Sequence, residues 1–160
     1  MKSIKEALIF AVQKHSFQKR KDGSPYFWHP VGVAMMLKDA GFDERYQMVG
    51  LFHDLLEDTD ATEEEILEYG DEKILETVKL LTKTEGYIEE KYFEGILQNP
   101  MAKAVKNMDR IYNLRDSVHA DAGFIDKYLK ETSDFFVGKF SEELDEEYYK
   151  LREIRKGMEK

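Results

Sequence analysis

Residues 51–60 read LFHDLLEDTD, in which His53, Asp54, Glu57 and Asp58, all able to bind protons or metal ions, are threaded between apolar side chains. An imidazole beside three carboxylates suits general acid–base chemistry or the ligation of a divalent cation. Placed on one helix at 100° per residue, Met48, Leu51, Phe52 and Leu55 form an apolar stripe. His53, Asp54 and Glu57 then share an arc of about 100° on the opposite side. That arc is either a solvated face or a site. A solvated face ordinarily mixes charges, yet no Lys or Arg stands between Arg45 and Lys73. Crowded carboxylates repel one another unless a positive charge is supplied, and a divalent metal supplies one.

The chain has four histidines, His15, His29, His53 and His119. His15 and His119 are expected to be ordinary hydrogen-bonded groups, with His15 near a helix C-terminus where an imidazolium favours the dipole. His29 precedes Pro30, which restricts its backbone and so directs its side chain. His53 and Asp54 are adjacent and can aim at one ion if their helix lies edge-on to it. Two imidazoles and two carboxylates suit Mn²⁺, Fe²⁺ or Zn²⁺ with positions left for water and substrate. Asp109 is the best candidate for the second carboxylate, because it is an acid on segment 101–114, whose Met101, Ala104, Val105, Met108, Ile111, Tyr112 and Leu114 largely keep helical apolar spacing and where an unpaired buried charge costs several kcal/mol.

The elements that must position these groups are helical. No alternating strand pattern, internal repeat or low-complexity segment is present, so the fold class is all-α. Ser3 with Glu6 and Thr62 with Glu65 are capping boxes, and Asp71 and Ser141 are further N-caps. Gly23 and Pro25 break the chain after a first helix ending near His15, leaving the basic loop QKRKDG. Pro30 sits in the first turn of a helix that stops at Gly41, and Asp43 opens the helix carrying the 51–60 segment. Residues 84–99 read as a helix, Pro100 opens the next, and helices over about 122–140 and 142–157 are amphipathic. The length of 160 residues and the absence of a linker point to one domain over residues 1–160.

Composition narrows the function. With no cysteine, disulfides, thiolate nucleophiles and cysteine-based zinc sites are excluded, and any metal must use His and carboxylates. The net charge of −9 argues against nucleic acid as a partner. No apolar run approaches the roughly 20 residues that span a bilayer, so no membrane partner and a cytoplasmic location are expected. Residues 1–40 hold seven basic and three acidic side chains, a balance of +4 that leaves −13 for the remainder. A small anion is therefore welcome at the basic loop. The C-terminal helices can either close the core or form a homodimer face.

Three ordered stretches, FQKRKDGSPYFWHPVGVAMML, LFHDLLEDTDAT and VKNMDRIYNLRD, resemble the HD-domain hydrolase region of the RelA/SpoT alarmone enzymes, especially the small stand-alone members. The family patterns are an R-K loop leading to P-Y-x-x-H-P, then H-D-x-x-E-D-T, then D-R/K-x-x-N-L-R. YGDEKILETVKLLTK is similar to a further family segment. The resemblance covers about residues 7–117 and implies a compact multi-helix HD-domain bundle. It also implies His29, His53, Asp54 and Asp109 as ligands of one Mn²⁺, and Glu57 and Asp58 as the acids that position or deprotonate the attacking water. Arg20 and Lys21 match residues that hold the guanine nucleotide, and Asn113 matches one lining the nucleotide site. The implied reaction removes the 3′-diphosphate of (p)ppGpp, giving GDP or GTP and pyrophosphate. Since 160 residues do not hold the synthetase and regulatory domains of the long forms, degradation alone is expected. Asp116 stands where larger members carry Thr, and Trp28, Asn107 and Met108 also depart from the usual pattern. Two rivals remain: the same metal site acting on another 3′-phosphorylated nucleotide or dinucleotide, and an inactive helical interaction module. The complete ligand set weighs against the latter.

Overall fold

A computed structural model describes residues 1–159. Ten α-helices and one short 3₁₀ turn make up its regular structure, and the described residues contain no strand beyond an isolated bridge. The fold is all-α, as expected. The chain divides into two compact units, residues 1–106 and 107–160.

In the first unit, α1 (Ile4–Lys14) opens with the Ser3–Glu6 capping box, each side chain satisfying a backbone N–H at the helix start. A tight hairpin-like loop follows. Tyr26 N donates to Gln18 O at 2.9 Å and Arg20 N to Ser24 O at 2.9 Å, while Lys19 and Pro25 form an antiparallel bridge. The reversal needs Gly23, whose φ of +86° lies in the left-handed region that side chains avoid. The basic stretch is thus a built structural element that returns the chain to α2 (Trp28–Asp39).

Helix α3 (Glu44–Phe52) is the centre of this unit, capped by Asp43 and packed against α1, α2 and α6. Met48, Leu51, Phe52 and Leu55 are all fully buried, so the expected apolar stripe is real. Its continuity is not. The helix stops at Phe52, His53 is its C-cap, and after Asp54 a separate turn of helix, α4 (Leu55–Asp58), begins. Gly50 lets α2 and α3 approach closely: a β-carbon there would lie 2.9 Å from Leu37 Cδ1 and 3.4 Å from the Ala34 backbone. Helix α5 (Glu63–Tyr69) carries the Thr62–Glu65 capping box and stops at Gly70, and Asp71 caps α6 (Glu72–Leu80). Helix α7 spans Glu89–Gln98, shorter than residues 84–99 suggested, because Thr84–Tyr87 forms a turn. Helix α8 (Pro100–Asp116) begins in this unit.

The second unit continues α8 through the 3₁₀ turn Ser117–His119 to α9 (Ala122–Phe135) and α10 (Glu142–Gly157). Ser141 caps α10, and its hydroxyl donates to Asn107 Oδ1 at 2.8 Å. Arg110 is only 4% exposed. Its guanidinium pairs with Glu131, donates to Thr132 Oγ1 at 3.2 Å, and lies 4.1 Å from the Tyr128 ring centre and 4.2 Å from that of Phe136. That combination of ion pair and cation–π contacts ties α8 to α9.

Candidate metal centre and hydrolytic site

The break between α3 and α4 aims His53 and Asp54. His53 Nδ1 lies 2.6 Å from the Gly50 carbonyl, which can only accept, so Nδ1 carries the proton and donates. In the neutral ring Nε2 is then the unprotonated nitrogen, the tautomer a metal ligand requires. It sits 3.2 Å from Asp54 Oδ2. Two donors at about 2.1–2.2 Å from one ion and at right angles to each other stand roughly 3 Å apart, so this spacing fits adjacent ligands. The imidazole of His29, in the first turn of α2 and 1% exposed, packs edge-on with its centre 5.5 Å from that of His53. The Tyr26 hydroxyl donates to Asp54 Oδ2, and His29 N donates to Tyr26 O at 2.9 Å.

Glu57 and Asp58 occupy α4. Glu57 Oε1 accepts the Lys83 backbone N–H at 2.5 Å, so the loop after α6 holds that carboxylate. Asp58 lines an open cleft of about 550 Å³ with Gln13, Lys14, Phe17, Thr59 and Asp60. Although part of its side chain stays open to solvent, its pKa is pushed up to about 6, first by burial and then by the negative charges of Asp54 and Glu57. Lys14 reaches Asp60 and Glu65, at 3.0 and 3.3 Å. No Lys or Arg pairs with Glu57 or Asp58 among the described residues. The negative potential that the sequence foreshadows therefore persists around these acids, and a bound cation would relieve it.

Arg20 lies on the hairpin with its guanidinium 5.7 Å from the Tyr26 ring centre, and Lys21 is exposed at the turn. In the second unit, Asp109 is 8% exposed, and Asn113, one turn later on α8, donates from Nδ2 to Asp109 Oδ1 at 3.5 Å.

One residue, Tyr26, has a partner that the sequence does not reveal. Tyr26 lies within the P-Y-x-x-H-P stretch, but its partner Asp54 is 28 residues away. His15 is fully buried, with Nδ1 3.0 Å from Gln18 Oε1 and its ring 5.1 Å from that of Tyr26. Burial lowers its pKa. It is the hydrogen-bonded group expected, but the buried neutral ring does not serve as a cation for the dipole of α1.

The model of the family described as "HD domain" matches residues 7–138. The chain belongs to the HD-domain family. Membership implies a divalent metal, and His53 and Asp54 are the adjacent H-D pair. Among similar proteins, the guanosine-3′,5′-bis(diphosphate) 3′-pyrophosphohydrolase of Aquifex aeolicus is 40% identical over 121 residues, covering 70% of this chain and 17% of that protein. The GTP pyrophosphokinase of Myxococcus xanthus is 33% identical over 148 residues, covering 84% of this chain and 20% of that protein. This HD domain thus spans about a fifth of these relatives' length. A solved structure described as a metazoan orthologue of SpoT that hydrolyses ppGpp superposes with a TM-score of 0.76 at 24% identity, covering 95% of this chain and 94% of that one. At that identity the likeness establishes the shared fold.

Proposed function

We propose that this HD domain, taken as one hydrolase domain over residues 1–160, is a Mn²⁺-dependent 3′-pyrophosphohydrolase of guanosine alarmones. It converts ppGpp to GDP, and pppGpp to GTP, with release of pyrophosphate. The observation that carries the metal chemistry is the His53 hydrogen bond to Gly50, which makes Nε2, beside the Asp54 carboxylate, the unprotonated nitrogen of the neutral ring. The substrate class is supported by the relative that bears this activity in its name, and the metal chemistry by the HD-domain match over residues 7–138.

His29, His53, Asp54 and Asp109 would hold the ion; His29, His53 and Asp109 are buried side chains of metal-ligating type. When bound, the ion supplies Lewis-acid polarisation of the 3′-phosphates and a lowered pKa for the attacking water. Glu57, fixed through the Lys83 N–H, accepts the proton of that water. Asp58, the next residue on α4, would share with Glu57 the task of positioning or deprotonating that water. Arg20 and Lys21 bring positive charge to a polyanionic substrate entering an acidic protein, and Asn113 contributes a polar contact to the nucleotide. The reading predicts a cytoplasmic enzyme that needs no nucleic-acid or membrane partner.

The test is a comparison of ppGpp with its adenine counterpart, using wild type, Arg20→Ala and Lys21→Ala. Each substitution should raise KM by roughly 5- to 150-fold, about 1–3 kcal/mol of lost charge-assisted hydrogen bonding, and leave ion content unchanged. The Arg20 loss should be larger on the guanine substrate. Equal turnover of both substrates with equal losses would contradict guanine selectivity and favour the broader nucleotide class.

A further inference from the structure

One side chain in the first unit connects the hairpin, α1, α2 and the α3–α4 break, and neither residue types nor the proposed chemistry gives it a role. Tyr26 is pinned at both ends of its backbone, its N–H donating to Gln18 O and its carbonyl accepting from His29 N, each at 2.9 Å. Its ring is flanked by two imidazoles, with His15 at 5.1 Å and His29 at 5.6 Å, and by the Arg20 guanidinium at 5.7 Å. Its hydroxyl donates to Asp54 Oδ2. That is the same oxygen that faces His53 Nε2 at 3.2 Å.

We propose that Tyr26 is a positioning residue for the metal centre, in which the hydroxyl orients the Asp54 carboxylate and the ring seats Arg20 of the substrate-holding hairpin. The inference rests on the proposed reading of Asp54 as a ligand. An ionised carboxylate only accepts hydrogen bonds, and each oxygen has two lone pairs. With the phenol donating to Oδ2, rotation about χ2 is restrained and that oxygen is held toward His53 Nε2. Partners of this kind change metal affinity by about 10- to 100-fold. The phenol itself is held by a buried wall: His15 is 0% exposed, and its hydrogen bond to Gln18 fixes the ring against which Tyr26 packs. The hydroxyl and the ring therefore have separable tasks, one toward the ion and one toward the nucleotide.

Removing the hydroxyl alone, in Tyr26→Phe, distinguishes these tasks from simple packing. Mn²⁺ titration of the chelator-stripped protein, read by calorimetry, should show affinity reduced by about 10- to 100-fold relative to wild type. The melting temperature in excess chelator should stay at the wild-type value, and at saturating Mn²⁺ the KM for ppGpp should be unchanged. Tyr26→Leu, which also removes the ring, should raise that KM at saturating Mn²⁺. Wild-type Mn²⁺ affinity in Tyr26→Phe would overturn the inference, as would a lowered melting temperature in chelator without loss of affinity. Asp54→Ala separates this outcome from failure of the underlying reading. If Asp54→Ala binds Mn²⁺ as tightly as wild type, Asp54 is not a ligand, and both the reading and the inference fall.

Discussion

At the scale of single residues, the proposed chemistry turns on two acids that share a turn of helix but differ in surroundings. Glu57 is tied to a backbone N–H, while Asp58 faces a cleft with a pKa near 6. If Glu57 accepts the proton of the attacking water, Glu57→Gln should retain the ion and lose turnover by about 10²-fold or more, measured as kcat beside metal content. Near-wild-type turnover would leave it a surface acid. Asp58 makes a prediction about stability in the metal-free protein. Its folded pKa, about 6, exceeds the unfolded value of 3.8, so the folded state binds the proton more tightly. The resulting stabilisation is full below the unfolded pKa and is lost as pH rises through the folded one. Urea melts in chelator at about pH 4.5 and pH 7 should therefore show wild type losing more stability than Asp58→Asn across that interval. An identical loss in the two proteins would contradict the assignment of the shift to this carboxyl.

At the scale of elements, the site depends on α2 and α3 lying close enough to bring His29 beside His53. Gly50 permits the approach and also offers the carbonyl that fixes the His53 tautomer. Gly50→Val should cost about 1–3 kcal/mol through overpacking against Leu37 and Ala34, measured by denaturant unfolding in chelator, and should weaken Mn²⁺ binding in parallel. Unchanged stability would show that the two helices have room to spare. The helix starts were legible in the sequence because capping is local. Ser3 with Glu6, Thr62 with Glu65, Asp71 and Ser141 each satisfy N–H groups within three residues. The interruption at His53 was not legible, because the apolar spacing of Met48, Leu51, Phe52 and Leu55 continues across it. What opens the helix is a side-chain bond from His53 to Gly50, which periodicity does not encode. Likewise, Gly23 and Pro25 announce a turn, but the pairing of Gln18 with Tyr26 that makes a hairpin is a property of the folded backbone.

At the scale of the whole molecule, residue types alone point to a divalent metal: no cysteine, a histidine beside an aspartate, and acids with no bases near them. The residues that steady those groups were hidden because their partners are distant along the chain, as Tyr26 is from Asp54 and Glu57 from Lys83. Family membership extends over residues 7–138 and implies a divalent metal. An ion held only by the folded chain also stabilises it, so Mn²⁺ should raise the melting temperature above that in chelator. The most direct measurement is ppGpp hydrolysis by protein stripped of metal and then titrated with Mn²⁺, with GDP and pyrophosphate quantified. The account predicts no turnover after stripping and recovery of both products in equal amounts, complete at about one ion per chain, with His53→Ala failing to recover. Full hydrolysis by the stripped protein, or full recovery by His53→Ala, would contradict it.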